Sequence, residues 1–274
     1  MPMSRICFFL SLLFLGILSL QAQIATIVPS SYVPGNASVA YHRDWQPFQN
    51  PAALAQVQQF SVTLLYENRY ITKELSNSVV SVAAPTKYVN IGASFSYFGY
   101  SAYNEMLSSI TLARSFGDIL HIGVEFDYYA IYLSPSERYR GTMTAQVGMQ
   151  LQVLPNFVVG FNVFNPVFSK LKTDLTTKTL PSVFSLGTSY QIHDKVSWLV
   201  QLDKEVHSPM RWATGFEYEP FEEFTIRVGG YGSNYFVPTL GVAFAFDAFR
   251  FHLQTEYRNP LGLTMMGVLQ YHLQ

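Results

Sequence analysis

Apolar and polar residues alternate along most of this chain. In residues 120–153, every second position is apolar and the positions between are mostly polar, with a short polar loop dividing the stretch. A period of two places neighbouring side chains on opposite faces of a β-strand. The stretch therefore predicts a β-hairpin with one apolar and one polar face.

The same alternation continues to the end of the chain and predicts about fourteen strands. They span residues 57–66, 77–84, 88–98, 106–115, 119–132, 140–153, 157–165, 182–191, 196–203, 210–219, 223–231, 236–246, 249–258 and 262–273. Each is close to the length of a tilted strand that crosses a bilayer. A soluble all-β domain with apolar faces turned inward has a similar strand spacing.

The connections between these strands separate the two alternatives. Those after even-numbered strands are mostly tight, as at 154–156 and 247–248, and those after odd-numbered strands tend to be longer, as at 166–181. Outer-membrane barrels have short periplasmic turns and longer outer loops. Within residues 250–258, every second side chain is polar or ionisable. Burying such a row costs free energy in a dry protein core but not in a water-filled lumen. We therefore expect an all-β, transmembrane antiparallel β-barrel with apolar side chains toward lipid.

The inward faces of the predicted strands carry the polar candidates for lining a lumen. These are His121, Glu125, Asp127, Gln146, Gln150, Glu217, Arg227, Arg250, His252 and Glu256. We expect Glu217 beside Arg227, and Arg250 near His272 at the periplasmic end. Glycines also recur on this face and leave room for a plug or a passage.

Three of these residues, His121, Glu125 and Asp127, share one strand face and resemble a set of metal ligands. Adjacent residues on one face lie about 7 Å apart, so an ion would need further ligands. Hydrogen-bonded lumen charges explain the pattern more simply, and we expect neither a metal nor a cofactor.

Aromatic residues cluster near the predicted strand ends and match the two interfacial girdles of outer-membrane barrels, although aromatics also favour strands in general. The candidates are Phe116, Phe157, Trp198, Phe221, Phe224 and Phe249 by the inner turns, and Tyr66, Phe98, Tyr100, Trp212, Tyr235 and Tyr257 by the outer loops.

The first residues have the order of a secretory signal peptide. A basic head precedes an apolar run over residues 6–20, and cleavage is expected after Ala22, which makes residues 1–22 the signal. About fifteen apolar residues are few for a membrane helix, which needs roughly twenty. Cys7, the only cysteine, would leave with the signal, so the mature chain would have neither a disulfide nor a thiolate metal site.

Residues 23–56 do not alternate and contain several prolines, which exclude central strands and long helices. We expect a compact irregular segment with one short helix after Pro51, followed by a barrel over residues 57–274. Glu125 has no basic neighbour on its own hairpin. We therefore expect His42 or Arg43 of this segment to fold into the lumen as part of a plug and meet Glu125.

Composition supports export and a membrane location. Charged residues make up 13% of the chain, about half of the usual share, and aromatics 16%. Loss of the signal removes Arg5 and no acidic residue, which takes the formal charge from −1 to −2. The chain has no excess of basic residues that would suggest binding to nucleic acid. We expect the outer membrane of a Gram-negative bacterium, with its lipid as a partner.

The motif Asn50-Pro51-Ala52, followed by Ala-Leu-Ala, stands just ahead of the first predicted strand. It resembles the Asn-Pro-Ala motif before the barrel in the FadL-type superfamily, which includes the PorV/PorQ-type proteins associated with type IX secretion. The resemblance implies fourteen strands and an N-terminal segment inside the lumen. It carries over Asn50, Pro51 and Ala52 as plug residues. The outer loops here are shorter than is usual in that superfamily.

Two functions follow from these features. One is transport or channelling of a small hydrophobic or amphipathic solute. The other is a structural barrel that binds partner proteins of the type IX secretion and surface-attachment machinery, as the PorV/PorQ resemblance implies. No nucleophile motif accompanies the scattered His, Ser and Asp residues, so no enzymatic activity is expected.

Overall fold

In the computed structural model, which describes residues 28–134, 138–172 and 177–273, fourteen antiparallel strands form a closed barrel. Pairing of the first strand with the last closes the ring. The barrel strands are β1 (Ser61–Asn68), β2 (Ser76–Ala84), β3 (Asn90–Tyr100), β4 (Tyr103–Phe116), β5 (Leu120–Leu133), β6 (Arg138–Leu154), β7 (Phe157–Phe164), β10 (Val183–His193), β11 (Val196–Glu205), β12 (Arg211–Phe221), β13 (Phe224–Gly232), β14 (Phe236–Phe246), β15 (Phe249–Arg258) and β16 (Gly262–His272). Two further strands, β8 (Lys170–Lys172) and β9 (Thr177–Thr179), pair with each other in the loop after β7. The predicted fold class is confirmed.

Most strand bounds agree with the alternation to within a few residues. The largest differences are at β1, which starts at Ser61 instead of Val57, and at β4, which starts three residues earlier than predicted. Val57 does not belong to β1 because its N–H donates to the Leu54 carbonyl at the end of the preceding helix. The predicted signal peptide, residues 1–22, lies outside the described residues.

The two faces of the wall have the predicted orientation. On β5, Phe126 is 58% exposed, whereas its neighbour Glu125 is 1% exposed and faces the lumen. Every barrel strand has at least one exposed large apolar side chain on its outer surface. One predicted girdle residue was assigned to the wrong side. Phe98 is on the inward phase of β3 and is buried, with the Arg69 guanidinium over its ring.

The two ends of the barrel differ in their connections. At the inner end, where β1 begins and β16 ends, the turns at 155–156, 194–195, 222–223 and 247–248 have two residues each. The opposite, outer end carries the longest connection, residues 165–182, although β3 and β4 are joined there by only two residues. Short turns identify the inner end as periplasmic.

The interior is filled by the chain that precedes β1. We call the residues from Val28 to Gln56 the N-terminal segment. It contains two 3₁₀-helices, Pro34–Asn36 and Pro51–Gln56, and two more, Arg69–Ile71 and Lys73–Leu75, follow β1. Within the ranges given above, no helix has the length and apolar character needed to cross a membrane. The buried apolar clusters lie between this segment and the wall, so the core of the protein is inside the lumen.

Candidate functional site

The N-terminal segment enters the described structure at the outer end of the lumen. Nη2 of Arg69 donates to the Val28 carbonyl at 2.9 Å, and Oγ of Ser30 donates to Glu67 at 2.7 Å. Glu67 also forms an ion pair with Arg69 and is buried. The segment is therefore fixed at its outer end to residues that lie at and just after the end of β1.

At mid-height the backbone of the segment lies directly against the wall. Gly35 N donates to Oγ1 of Thr239 at 3.0 Å, and Val39 N donates to Oε1 of Gln201 at 2.8 Å. A Cβ at Gly160 would overlap the Val39 carbonyl. The inward glycines, predicted to leave room for a plug or a passage, are places where the segment touches the wall, namely Gly92, Gly123, Gly148, Gly160, Gly187, Gly215 and Gly229.

The Asn-Pro-Ala motif forms the turn that starts the second helix. Asn50 Oδ1 accepts from Ala52 N at 3.0 Å, which caps the helix, and Pro51 occupies its first position. Asn50 Nδ2 donates to the Val39 carbonyl at 2.6 Å, and Gln150 donates to the Val39 and Tyr41 carbonyls. Asn50 and Ala52 are buried. The motif thus ties two passes of the segment to each other and to β6.

A polar network joins the middle of the segment to four strands. Arg227 Nε donates to Glu217 at 2.7 Å, as the predicted strand order requires. Its Nη2 donates to the Tyr41 hydroxyl at 3.2 Å, and its Nη1 donates to Nδ1 of His252 at 2.7 Å. His252 Nε2 in turn lies 2.9 Å from Oε1 of Gln270. The network crosses the lumen from β12 to β16.

Two ion pairs hold the segment at the inner end. Both carboxylate oxygens of Asp44 accept from Arg250, at 2.8 and 2.9 Å. Arg43 pairs with Glu219 and lies 3.5 Å from Glu217. Burial alone would raise the pKa of the Asp44 carboxyl, but Arg250 together with His252, Arg227 and His272 outweighs burial, and the pKa lies below its usual range. Charge pairing therefore favours the docked segment at this end.

The expected contact between Glu125 and a basic residue of the segment was wrong. Arg43 binds Glu217 and Glu219 on the opposite side of the lumen, and Nδ1 of His42 faces the Ala40 carbonyl at 3.4 Å. The wall at β5 is instead covered by the helix Pro51–Gln56, which contains no charged residue. Glu125 accepts a hydrogen bond from Thr111 at 2.5 Å.

The other predicted lumen residues are also buried, but they do not form one site. At the outer end, Glu256 accepts from Asn36 and Tyr231. Gln146 donates to the Gln49 carbonyl. Arg250 forms an ion pair with Asp44. It also lies near His272, as expected, because it pairs across strands with Gln270. These side chains hold the segment, which alternation along the strands alone did not reveal.

The metal-like set on β5 does not converge. His121 Nδ1 lies 2.8 Å from Oγ of Ser115 at the inner end, away from Asp127. Among the described residues, no three His, Cys, Asp or Glu side chains come together around a common point.

Two cavities lie on opposite sides of the N-terminal segment. The outer cavity has a volume of about 240 Å³ and extends from loop residues such as Ser208 and Tyr235 down to Asn50. The inner cavity, of about 280 Å³, is lined by Arg43, Glu223 and their neighbours at the periplasmic end. The segment and the Tyr41 network separate the two cavities.

No protein-family model matches the sequence. No curated protein matches it either. Among solved structures, the fold is similar to the Pseudomonas putida toluene transporter TodX, with a TM-score of 0.68 and 12% identity, over 90% of this chain and 97% of that one. It is also similar to a Pseudomonas aeruginosa FadL homologue, with a TM-score of 0.64 and 10% identity over 90% and 99%. It is similar as well to the Acinetobacter baumannii outer membrane protein Omp33, with a TM-score of 0.52 and 9% identity, over 78% of this chain and 98% of that one.

These identities establish similarity of fold alone. That fold, with its apolar outer surface, is the fold of Gram-negative outer-membrane barrels. The predicted outer-membrane location is confirmed at the level of the fold. The expected similarity to FadL-type barrels holds for the fold, and the structures do not address the PorV/PorQ branch.

Proposed function

We propose that this protein is an outer-membrane channel or transporter of FadL type, in which residues 23–56 act as a plug in a barrel formed by residues 57–274. The observation that carries the proposal is the pair of cavities on either side of the N-terminal segment. Each cavity reaches one end of the lumen, and only the segment and its contacts lie between them. Displacement of the segment would join them into a path.

The outer cavity favours a small amphipathic solute. Its lining combines apolar side chains such as Phe48 and Phe164 with polar Gln201 and the charged pair Asp203–Arg211. A dedicated hydrocarbon site is largely apolar. TodX is a toluene transporter by name, and this lining supports a solute with more hydrogen-bonding groups than an aromatic hydrocarbon has.

The polar contacts of the segment are suited to reversible displacement. Hydrogen bonds and ion pairs such as Asp44–Arg250 and Val39–Gln201 join the segment to the wall beside the apolar clusters. Water can replace such partners when the segment moves, and the net contribution of each hydrogen bond is only about 0.5–1.5 kcal/mol. The polar contacts can therefore be exchanged with water, while the apolar clusters between the segment and the wall favour the docked position.

Deletion of residues 23–56 tests this proposal. Single-channel conductance in planar bilayers should rise in the deletion protein compared with the full chain, and liposomes containing it should swell faster with small polar solutes. A variant with Gly267→Ala, at a position away from the segment, serves as the control. Equal conductance with and without the segment would rule out the plug.

A second candidate is a non-transporting barrel that binds proteins of type IX secretion. The observation in its favour is that the lumen is crossed at mid-height by the buried Glu217–Arg227 pair and Tyr41. The resemblance of the Asn50 motif to PorV/PorQ-type proteins points the same way. Copurification of secretion components from outer membranes, together with unchanged conductance on deletion of the segment, would favour this candidate.

A further inference from the structure

Two acidic side chains are buried side by side on β5. Glu125 and Asp127 are two positions apart on the inward face, so their carboxyl groups point into the same part of the lumen. Their side chains are 1% and 2% exposed. Two neighbouring carboxylates, removed from water, are strongly unfavourable unless something neutralises them.

In the part of the chain that the structure describes, no protein cation neutralises this pair. Among the described residues, neither carboxylate forms an ion pair with Lys, Arg or His. The covering helix Pro51–Gln56 is uncharged, and Arg43 is engaged with Glu217 and Glu219. The charge of the pair is therefore not balanced by the segment or by the wall.

Neutral oxygen donors lie level with the two carboxyl groups on the neighbouring strands. Ser109 lies opposite Asp127 on β4, Ser94 lies opposite Ser109 on β3, and Gln146 lies opposite Glu125 on β6. All three side chains are more than nine-tenths buried. The following buried oxygens make no hydrogen bond: Oγ of Ser94, Oγ of Ser109, Oε1 of Glu125, Oδ1 and Oδ2 of Asp127, and Oε1 of Gln146.

We propose that these residues form a binding site for a hard divalent cation of the size of Ca²⁺. Ca²⁺ is bound by six to eight oxygens from carboxylate, amide and other oxygen donors in flexible geometry. The site offers two carboxylates, an amide oxygen and two hydroxyls, with no nitrogen or sulfur donor. Its unpaired oxygens are closed to solvent, and a bare cation is smaller than water.

The chemistry of this site differs from that of the metal set considered from the sequence. His121 is excluded because it is directed to Ser115, and the added ligands come from β3, β4 and β6 instead of from β5 alone. A bound cation would link four neighbouring strands. The site does not depend on whether the barrel transports a solute.

Calcium binding to the purified full-length barrel in detergent tests the proposal. After treatment with EGTA, equilibrium dialysis with radioactive Ca²⁺ should show one ion per barrel, and Ca²⁺ should raise the thermal unfolding temperature. Asp127→Asn should weaken Ca²⁺ binding at least tenfold. Asp203→Asn, which removes a lumen carboxylate that is paired with Arg211, should leave Ca²⁺ binding unchanged.

Ser109→Ala removes a neutral ligand without changing charge and should also weaken binding, which keeps the test informative if Asp127→Asn does not fold. No Ca²⁺ bound by the wild type would overturn the proposal, as would equal binding by the wild type and both site variants. A stability that depends on pH but not on Ca²⁺ would show that the carboxyl groups share a proton instead, and would also overturn it.

Discussion

Arg227 and Glu217 lie opposite each other on β13 and β12, and Tyr41 of the N-terminal segment touches both. The Tyr41 hydroxyl lies 3.3 Å from Oε2 of Glu217 and 3.2 Å from Nη2 of Arg227, while the ion pair itself measures 2.7 Å. Both charged side chains are almost completely buried. The wall of the barrel and the segment that fills it therefore share one buried charge pair.

Removal of one member of this pair should be costly. Arg227→Met leaves Glu217 buried with only the more distant Arg43, and loss of one partner of a buried pair costs about 3–5 kcal/mol. Denaturant unfolding in detergent measures the loss. The double variant Arg227→Met with Glu217→Leu should recover much of it, because no unpaired charge is left. A double variant as unstable as the single one would contradict this interpretation.

A small side chain on the wall should expel the segment. A Cβ at Gly160 overlaps the Val39 carbonyl, so Gly160→Ala is expected to raise ion conductance and the susceptibility of the segment to protease. Gly267→Ala is the matched control, since its Cβ would meet nothing closer than 3.9 Å. If both variants conduct like the wild type, the close packing at Gly160 does not hold the segment.

Acid should weaken docking of the segment at the inner end. Burial lowers the pKa of His42, and Arg43 and His121 act in the same direction, whereas the Ala40 carbonyl and Glu217 oppose it. The docked segment thus keeps His42 neutral, and as the pH falls below the ordinary value of 6.5 the released segment gains a proton that the docked one does not. Docking is therefore weakened below that pH.

The Asp44 carboxyl adds a second, lower step. Because Arg250 and the neighbouring cationic groups together hold its pKa below the ordinary 3.8 despite burial, its contribution is present above that value and is lost as the pH falls through the lowered pKa. Conductance measured as a function of pH should show both steps. His42→Gln should abolish the upper step and leave the lower one. An upper step that survives in His42→Gln would assign it to another group.

The outer surface should tolerate charge only near its edges. Phe126 is exposed in the middle of β5, and Arg at the bilayer midplane costs about 2–4 kcal/mol, compared with about 0–1 near the interface. Phe126→Arg should accordingly reduce the free energy of unfolding in lipid vesicles far more than Leu154→Arg at the inner end of β6. Similar losses for the two variants would place the membrane elsewhere on the barrel.

The strands were predictable from the sequence because alternation with a period of two is a property of the strand itself. Side-chain pairs between consecutive strands were predictable for the same reason. Glu217 and Arg227, for example, meet as soon as the strand order and register are known. The alternation along β3 also places Phe98 on the inward face. It thereby corrects the prediction that Phe98 belongs to the aromatic girdle, which was made from residue type alone.

The path of the N-terminal segment was not predictable. Its partners are set by tertiary contacts between residues up to 238 apart in the sequence, as in Tyr32–Gln270, Asp44–Arg250 and Gly35–Thr239. Asp44 was missed, although it is an acidic residue in a short charged stretch of the segment, and Arg250 had no carboxylate near it on its own strand pair. Arg43 was predicted to lie in the lumen and to meet Glu125, but its partners are Glu217 and Glu219. The side of the lumen that Arg43 faces depends on the turns at Gly35 and Asn50.

The position of the N-terminal segment restricts the order in which the molecule can be assembled. The segment runs from Val28 near the outer end to Arg43 at the inner end and then leads directly into β1, which closes the ring with β16. If the ring closed around an empty lumen, nearly thirty residues would later have to enter it lengthwise, including the bulky side chains of Tyr41 and Trp45. Insertion of the segment before the last strand pair forms avoids that step, so closure of β1 on β16 completes the barrel and its filling together.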